Sequence, residues 1–83
     1  MQNTSKLTPI KLEEIDTSND ITIKSYQNLV IPVGQILTII ANKKLIVEGA
    51  ITNNGTIRNN GTYSGTAPNP RGNIEGTNAG QIS

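Results

Sequence analysis

The sequence predicts an all-β fold, a short β-solenoid (β-helix) or β-prism that is completed by trimerisation. The chain has 83 residues, only two of them aromatic, and neither Cys nor His. In its first half, Ile and Val alternate with polar residues, the pattern of half-buried strands. From Thr38 onward a six-residue repeat appears, and self-similarity at a fixed period indicates a solenoid. We therefore expect short strands wound around a thin interior.

Residues 1–20 are polar with sparse apolar positions and predict an extended N-terminal arm. Pro9 precedes the only helix-like spacing, and barely two turns would not be stable alone. No apolar stretch typical of a secretory signal is present, so none is expected. A disordered tail is the alternative interpretation. The apolar side chains that we expect to dock on another protein are Leu7, Ile10, Leu12 and Ile15.

Residues 21–65 are expected to form the solenoid-like core. Five apolar residues share one parity, which predicts a strand over 21–33. Pro32 and Gly34 then interrupt the pattern, so residues 36–40 are expected to form the next strand. The five residues of the apolar row are Ile21, Ile23, Leu29, Ile31 and Val33.

The repeat reads TIIANK, KLIVEG, AITNNG, TIRNNG and TYSGTA over residues 38–67. Its second position is always large and apolar, as expected for a side chain that faces the interior in every block. Three such blocks are expected to form one triangular turn. The predicted core or oligomer-interface residues are Ile39, Leu45, Ile51, Ile57 and Tyr63.

The pairs Asn54-Gly55 and Asn60-Gly61 are expected at corners. Asn-Gly is also a strong hairpin signal, but only residues 56–59 separate the two pairs, too few for a usual central strand. A corner fits because Asn and Gly tolerate left-handed backbone. We also expect the repeated Asn side chains to stack as ladders on successive turns.

Residues 66–83 contain two Pro and three Gly with only two large apolar side chains. Such a composition predicts a flexible or partner-ordered tail. Residues 38–67 alone make fewer than two turns, whereas solenoids usually need about three repeats to be stable. This shortage favours a homo-oligomer, and a trimer would also remove exposed strand edges.

No catalytic apparatus is predicted. Without His or Cys, the chain has no Ser-His-Asp or Cys-His nucleophile and no Cys or His metal ligand. Glu13, Glu14 and Asp16 are interpreted as solvated carboxylates, and residues 17–20 lack the alternating acidic spacing of a calcium loop. We therefore expect no enzyme activity and no cofactor.

Nucleic acid and membrane are not expected partners. The net charge is +1, and the seven basic residues are scattered along the chain. Nucleic-acid-binding proteins usually show a basic stripe or aromatic residues for base stacking. The most apolar window, residues 29–41, is interrupted by polar residues and is shorter than the roughly 20 residues of a membrane span.

Two stretches resemble β-helical segments of virion proteins: NLVIPVGQILTI at 28–39 and LIVEGAITNNGTIRNNGT at 45–62. Similar Asn-Asn-Gly-Thr-Ile repeats occur in phage and viral fibres, spikes and capsid-decoration proteins, and in bacterial surface proteins. The resemblance covers roughly residues 28–65 and involves only core and corner positions. It implies a virion structural component, usually trimeric.

The short chain favours a capsid-decorating or fibre-anchoring protein over a complete receptor-binding fibre. The N-terminal arm would then dock on capsid or tail proteins, and the protein would be located in the virion. Two alternatives stay open, a bacterial cell-surface binding module and a subunit of an extracellular filament. The filament would stack open solenoid ends, whereas the trimer is closed.

Overall fold

The computed structural model describes residues 7–82. Over this range the chain forms nine short β-strands and two single-turn 3-10 helices, and no α-helix. Alternating apolar residues, rich in Ile, favour extended backbone, and frequent Gly, Pro and Asn keep each strand short. The strands are β1 (Thr8–Lys11), β2 (Ile21–Ile23), β3 (Gln27–Ile31), β4 (Ile36–Ile39), β5 (Lys44–Val47), β6 (Ala50–Asn53), β7 (Thr56–Asn59), β8 (Thr62–Gly65) and β9 (Asn73–Glu75).

All described strand pairs are parallel and form three sheets of three strands each. Sheet A contains β1, β3 and β6; sheet B contains β2, β5 and β8; sheet C contains β4, β7 and β9. From β3 to β8 the chain visits the sheets in the order A, C, B twice. This arrangement is a short three-sided β-solenoid, which confirms the predicted all-β solenoid class.

The solenoid has three successive coils followed by a cap. The first coil runs from β1 to β2, the second from β3 to β5, and the third from β6 to β8; residues 66–82 are the C-terminal cap. Lys44 of the second coil pairs with Thr62 of the third, 18 residues further along the chain. This spacing corresponds to three blocks of six residues.

Inward-facing residues alternate with outward-facing ones along each strand. In the second coil each strand places two apolar side chains inside, and each of these is at most 1% exposed. They are Leu29 and Ile31 on β3, Leu37 and Ile39 on β4, and Leu45 and Val47 on β5. These six are half of the twelve buried hydrophobic side chains of the described core, whose removal from water stabilises the fold.

The expectation of one strand over residues 21–33 is wrong. A four-residue turn, in which the Gln27 amide donates to the Lys24 carbonyl at 2.9 Å, separates β2 from β3. The two strands belong to different sheets. The apolar parity continues across the turn because both strands face the same interior. Val33, placed in the same row by its parity, is 82% exposed.

The two ends of the described chain fold onto the coils. Residues 8–11, in the range expected as an extended arm, form β1 and pair with β3, with Thr8 opposite Gln27. At the other end, in the range expected as a flexible or partner-ordered tail, β9 pairs with β7 and Ile82 is 1% exposed. Pro68 is also buried.

Candidate interaction surface

The five residues predicted for the core or an oligomer interface face the interior of the chain's own solenoid. Their exposure is 0–6%. Leu45 and Tyr63 lie directly opposite each other on paired strands of sheet B. Any oligomer built from this folded form would therefore use outward-facing residues. The five are Ile39, Leu45, Ile51, Ile57 and Tyr63.

The predicted corner residues lie between strands, Asn54-Gly55 between β6 and β7 and Asn60-Gly61 between β7 and β8. The prediction of left-handed backbone at these corners is wrong, since none of the four residues has a positive φ. Glycine is needed at these corners for lack of space. A Cβ on Gly61 would overlap the carbonyl oxygens of the second coil's turn, and the same holds for Gly55.

Two residues with left-handed backbone lie instead in the wider turns of the second coil. The turn Pro32–Gln35 has Gly34 at φ 85°, and the turn Ile40–Lys43 has Asn42 at φ 71°. Each turn is closed by a hydrogen bond of 3.1 Å from the fourth residue's amide to the first residue's carbonyl. In the next coil, Gly55 and Gly61 lie directly against these turns.

Two buried asparagines, Asn53 and Asn59, organise the corners and the cap. Asn53 Oδ1 accepts the Gly55 amide at 3.0 Å, and Asn59 Oδ1 accepts the Gly61 amide at 3.1 Å. Their Nδ2 groups donate forward to cap carbonyls, that of Asn53 to Arg71 at 2.7 Å and that of Asn59 to Asn78 at 2.9 Å.

The expected ladder of stacked asparagines is wrong, because Asn53 and Asn59 lie on different sheets. Both Nδ2 groups donate a second hydrogen bond, that of Asn53 to the Asn73 carbonyl at 3.2 Å and that of Asn59 to Gln81 Oε1 at 3.3 Å. This offsets the cost of placing polar groups inside the solenoid.

The predicted docking residues of the arm are only partly exposed. Leu7, Ile10, Leu12 and Ile15 are each of intermediate burial. The last three pack against the chain's own core. Outward from them, the arm presents Lys11 and Glu13, both exposed.

An exposed apolar surface lies at the corner between sheets A and C. We call it the corner patch and define it by Leu12, Val30, Pro32, Val33 and Ile36. Val33 is 82% and Ile36 is 45% exposed. The sequence pattern does not indicate this surface, because Val33 shares the parity of Leu29 and Ile31, which face the interior.

A cleft opens beside the corner patch, between the first and second coils. Its volume is about 220 Å³, and it is lined by Lys11, Leu12, Glu13, Val30, Pro32 and Gln35. It arises because the first coil crosses sheet C as the 3-10 helix Leu12–Glu14 rather than as a strand. Among residues 7–82, no strand pairs with the outer edge of β4, the first strand of sheet C.

Two titratable groups have shifted pKa values. Hydrogen bonds from the Ser18 hydroxyl, the Asn19 amide and the Ser18 backbone lower the pKa of Asp16. Burial raises the pKa of Tyr63 to about 12. The Tyr63 hydroxyl donates to the Thr66 carbonyl, which anchors the start of the cap. Both groups stabilise local structure, Asp16 in a loop and Tyr63 in the interior.

Charged side chains form no concentrated site in the described range. Arg58 and Glu75, opposite each other on β7 and β9, form an ion pair of 2.6 Å on the outer face of sheet C. Between residues 7 and 82, no three His, Cys, Asp or Glu side chains are grouped so that they could hold a metal ion. Over the same stretch, neither helix has the length and apolar character needed to cross a membrane.

The arrangement on the surface is therefore an apolar corner, a cleft and an unpaired strand edge, close together near one end of a filled solenoid. Such a surface can bury side chains against a partner and can pair with a partner's strand. Comparison with protein-family models, curated proteins and solved structures gives no match to this chain.

Proposed function

We propose that this protein is a non-enzymatic structural component of a virion, a capsid-decorating or fibre- or spike-anchoring protein that acts by self-association and docking. The observation that carries the proposal is the corner patch beside the unpaired edge of β4. The interior of the solenoid is already filled by the chain's own side chains. Of the four large apolar side chains exposed in the described range, Val33, the most exposed, and Ile36 lie together at this corner, whereas Tyr26 and Ile40 lie singly at the other two corners.

The energetics of the corner patch favour association. Val33 keeps most of its surface in water, and Ile36 keeps nearly half. Complete burial of such a side chain is worth roughly 1.5–3 kcal/mol relative to exposure. In a symmetric oligomer every subunit contributes the same patch, so the gain is repeated at each interface.

The unpaired edge of β4 would determine how a partner strand is oriented at the interface. An open edge offers backbone donors and acceptors in a fixed row, which a strand from another chain can satisfy. Backbone pairing would set the register, and the neighbouring cleft would accept an apolar side chain. We propose a homo-oligomer on this basis, with a trimer as the favoured state.

The virion assignment rests on the resemblance of residues 28–65 to β-helical segments of phage and viral fibres, spikes and capsid-decoration proteins. In this proposal Lys11 and Glu13, exposed beside the corner patch, are available for docking on capsid or tail proteins. Stacking of solenoid ends into an extracellular filament has less support, because the cap covers the end of the third coil.

The test is the oligomeric state of the purified protein by light scattering, with circular dichroism to report folding. We expect a folded trimer at micromolar concentration. Val33→Asp should give folded monomers, because it places a charge in the corner patch. The matched control is Ser64→Asp, an exposed position on the outer face of sheet B.

A folded wild-type monomer would overturn self-association, and a trimer that Val33→Asp leaves intact would overturn the corner patch as its interface. Open-ended fibres in electron micrographs would favour the filament. The virion assignment has its own test, the presence of the chain in purified particles. If the gene for this chain lies beside capsid or tail genes but the chain is absent from the particles that those genes encode, the virion assignment is contradicted.

A further inference from the structure

The tetrapeptide Asn-Asn-Gly-Thr occurs twice, at residues 53–56 and 59–62, at successive corners of the third coil. We propose that Asn54 is a site of spontaneous deamidation in the folded protein and that Asn60 is protected. Local sequence is the same at both sites, so a difference in rate would have to come from the fold. This inference is independent of the proposed function.

The chemistry needs only water and a base from solvent. After a base removes the proton of the Gly amide, the amide nitrogen attacks the Asn Cγ and a new C–N bond forms. The Cγ–Nδ2 bond breaks, and the departing NH2 group takes up one proton and leaves as ammonia. The resulting succinimide is opened by water at either carbonyl, which gives aspartate or isoaspartate. Glycine favours the attack because it has no Cβ to obstruct it.

Asn60 is held in place by the cap. Its Oδ1 accepts the Thr77 amide at 3.0 Å, and the next residue, Asn78, donates from Nδ2 to the Gly61 carbonyl at 2.7 Å. For the Gly61 nitrogen to reach Asn60 Cγ, the hydrogen bond from Thr77 to Asn60 Oδ1 must break. The backbone at this corner must also rotate, which the bond from Asn78 to the Gly61 carbonyl opposes. The Asn60 side chain is also partly buried.

Asn54 has no equivalent restraint on its side chain. It is exposed, and within the described range its carboxamide makes no hydrogen bond. Its backbone amide donates to the Ile31 carbonyl at 2.9 Å, as that of Asn60 does to Ile39 at 2.8 Å. The two Gly amides are also engaged alike, each with the preceding inward Asn. The carboxamide is therefore the group that distinguishes the sites.

Reaction at Asn54 would affect the corner patch. Aspartate at this position changes the formal net charge from +1 to zero. Isoaspartate adds a methylene to the backbone beside Gly55, which lies against the Pro32–Gln35 turn with no room for a Cβ. That turn carries Val33, so the modification would loosen the part of the surface that is proposed to associate.

The test is peptide-resolved mass spectrometry of the full chain after incubation at mildly alkaline pH. In the folded protein we expect deamidation at Asn54 to be at least about fivefold faster than at Asn60, the factor given by one net hydrogen bond. The same chain unfolded in urea is the control, and its two sites should react at similar rates. Equal rates in the folded protein, or faster reaction at Asn60, would overturn the proposal.

A variant pair tests the cause. Thr77→Pro removes the amide that donates to Asn60, so the Asn60 rate should rise toward that of Asn54. Thr77→Ala keeps the amide and should leave Asn60 protected. Circular dichroism shows whether each variant is folded. If Thr77→Pro does not fold, the folded and unfolded wild-type rates still decide the proposal.

Discussion

The second and third coils have the same three-sided path but differ inside and at the corners. Every strand of the second coil places two apolar side chains inside. In the third coil each strand places one large residue inside, and the second position holds buried Asn53 or Asn59, or Gly65, which is exposed. The second coil turns its corners with four-residue turns, and the third with two-residue steps that end in Gly. The second coil thus buries apolar side chains at every inward position, and the third coil ends the solenoid by binding the cap.

This difference shows how one backbone register can both continue and terminate a solenoid. The position of Ile39 in the second coil is that of Asn59 in the third, directly opposite on paired strands. An apolar residue there extends the core. An Asn there holds its own corner and reaches forward to the cap.

The largest expected loss of unfolding free energy comes from Ile39→Ala, in the interior of the second coil. Ile39 is 1% exposed, and removal of such a side chain costs about 2–5 kcal/mol in lost burial and cavity formation. Urea denaturation followed by circular dichroism measures the loss. Thr22→Ala, at an exposed position on the outer face of sheet B, is the control and should change the unfolding free energy by less than about 0.5 kcal/mol. Similar losses for both would contradict the assignment of the core.

The corners of the third coil are tested by Gly61→Ala. The added methyl group would meet the carbonyl oxygens of Ile40 and Lys43, so one coil must move away from the other. We expect a loss of about 3 kcal/mol in unfolding free energy. Gly80→Ala is the matched control, because its added methyl group meets nothing and its φ is not positive. A tolerated Gly61→Ala would show that the corners are not closely packed.

The two coils can be made alike by Asn59→Leu, which gives the third coil the apolar pattern of the second. This leaves the Gly61 amide and the Asn78 carbonyl without their partner. We expect a net loss of about 2 kcal/mol despite the apolar gain, since an unsatisfied buried group costs about 1–3 kcal/mol. Thermal unfolding measures it, with the exposed Asn54→Ala as control. A more stable Asn59→Leu would mean that burial outweighs the hydrogen bonds.

The smallest expected effect is a pH dependence from Tyr63, which occupies in the third coil the place of Leu45 in the second. Its pKa is raised to about 12 in the folded chain, against 10.0 for the free side chain. The protonated form is thus favoured by folding, so its contribution is complete below pH 10 and is lost as pH rises toward 12.

Urea denaturation of the wild type against Tyr63→Phe measures this contribution. We expect the wild type to lose roughly 1–2 kcal/mol more than the variant over that alkaline range. Lysine titration is common to both chains and cancels in the difference. Parallel pH profiles would contradict a buried phenol.

Much of the fold was predictable because the solenoid is repetitive. The large apolar residue at the second position of each block predicted the row from Ile39 to Tyr63. The second inward position was not recognised, since it changes from Val47 to Asn53 and Asn59. The alternation of strand residues could have indicated it, because each of these residues lies two places after an inward-facing apolar residue and therefore on the same face of the strand.

The surface and the cap were less predictable. Val33 shares the parity of Leu29 and Ile31 but lies in a turn, where parity no longer decides which side faces inward. The cap has no periodicity, and its order comes from side-chain hydrogen bonds of Asn53 and Asn59 to cap residues that are 18 or more residues away in sequence. Such contacts depend on the coils that are already in place.

The parallel pairing also determines how the chain must fold. Every described ladder joins residues that are far apart, from 17 residues between Thr56 and Asn73 to 24 between Ile21 and Leu45. No hairpin between neighbouring strands is available as a nucleus, so the first productive event is the closure of a whole loop of this size. Once one coil has closed, its edges are a template on which the next strands can dock. We therefore expect folding to spread from coil to coil, with the first closure as the slow step.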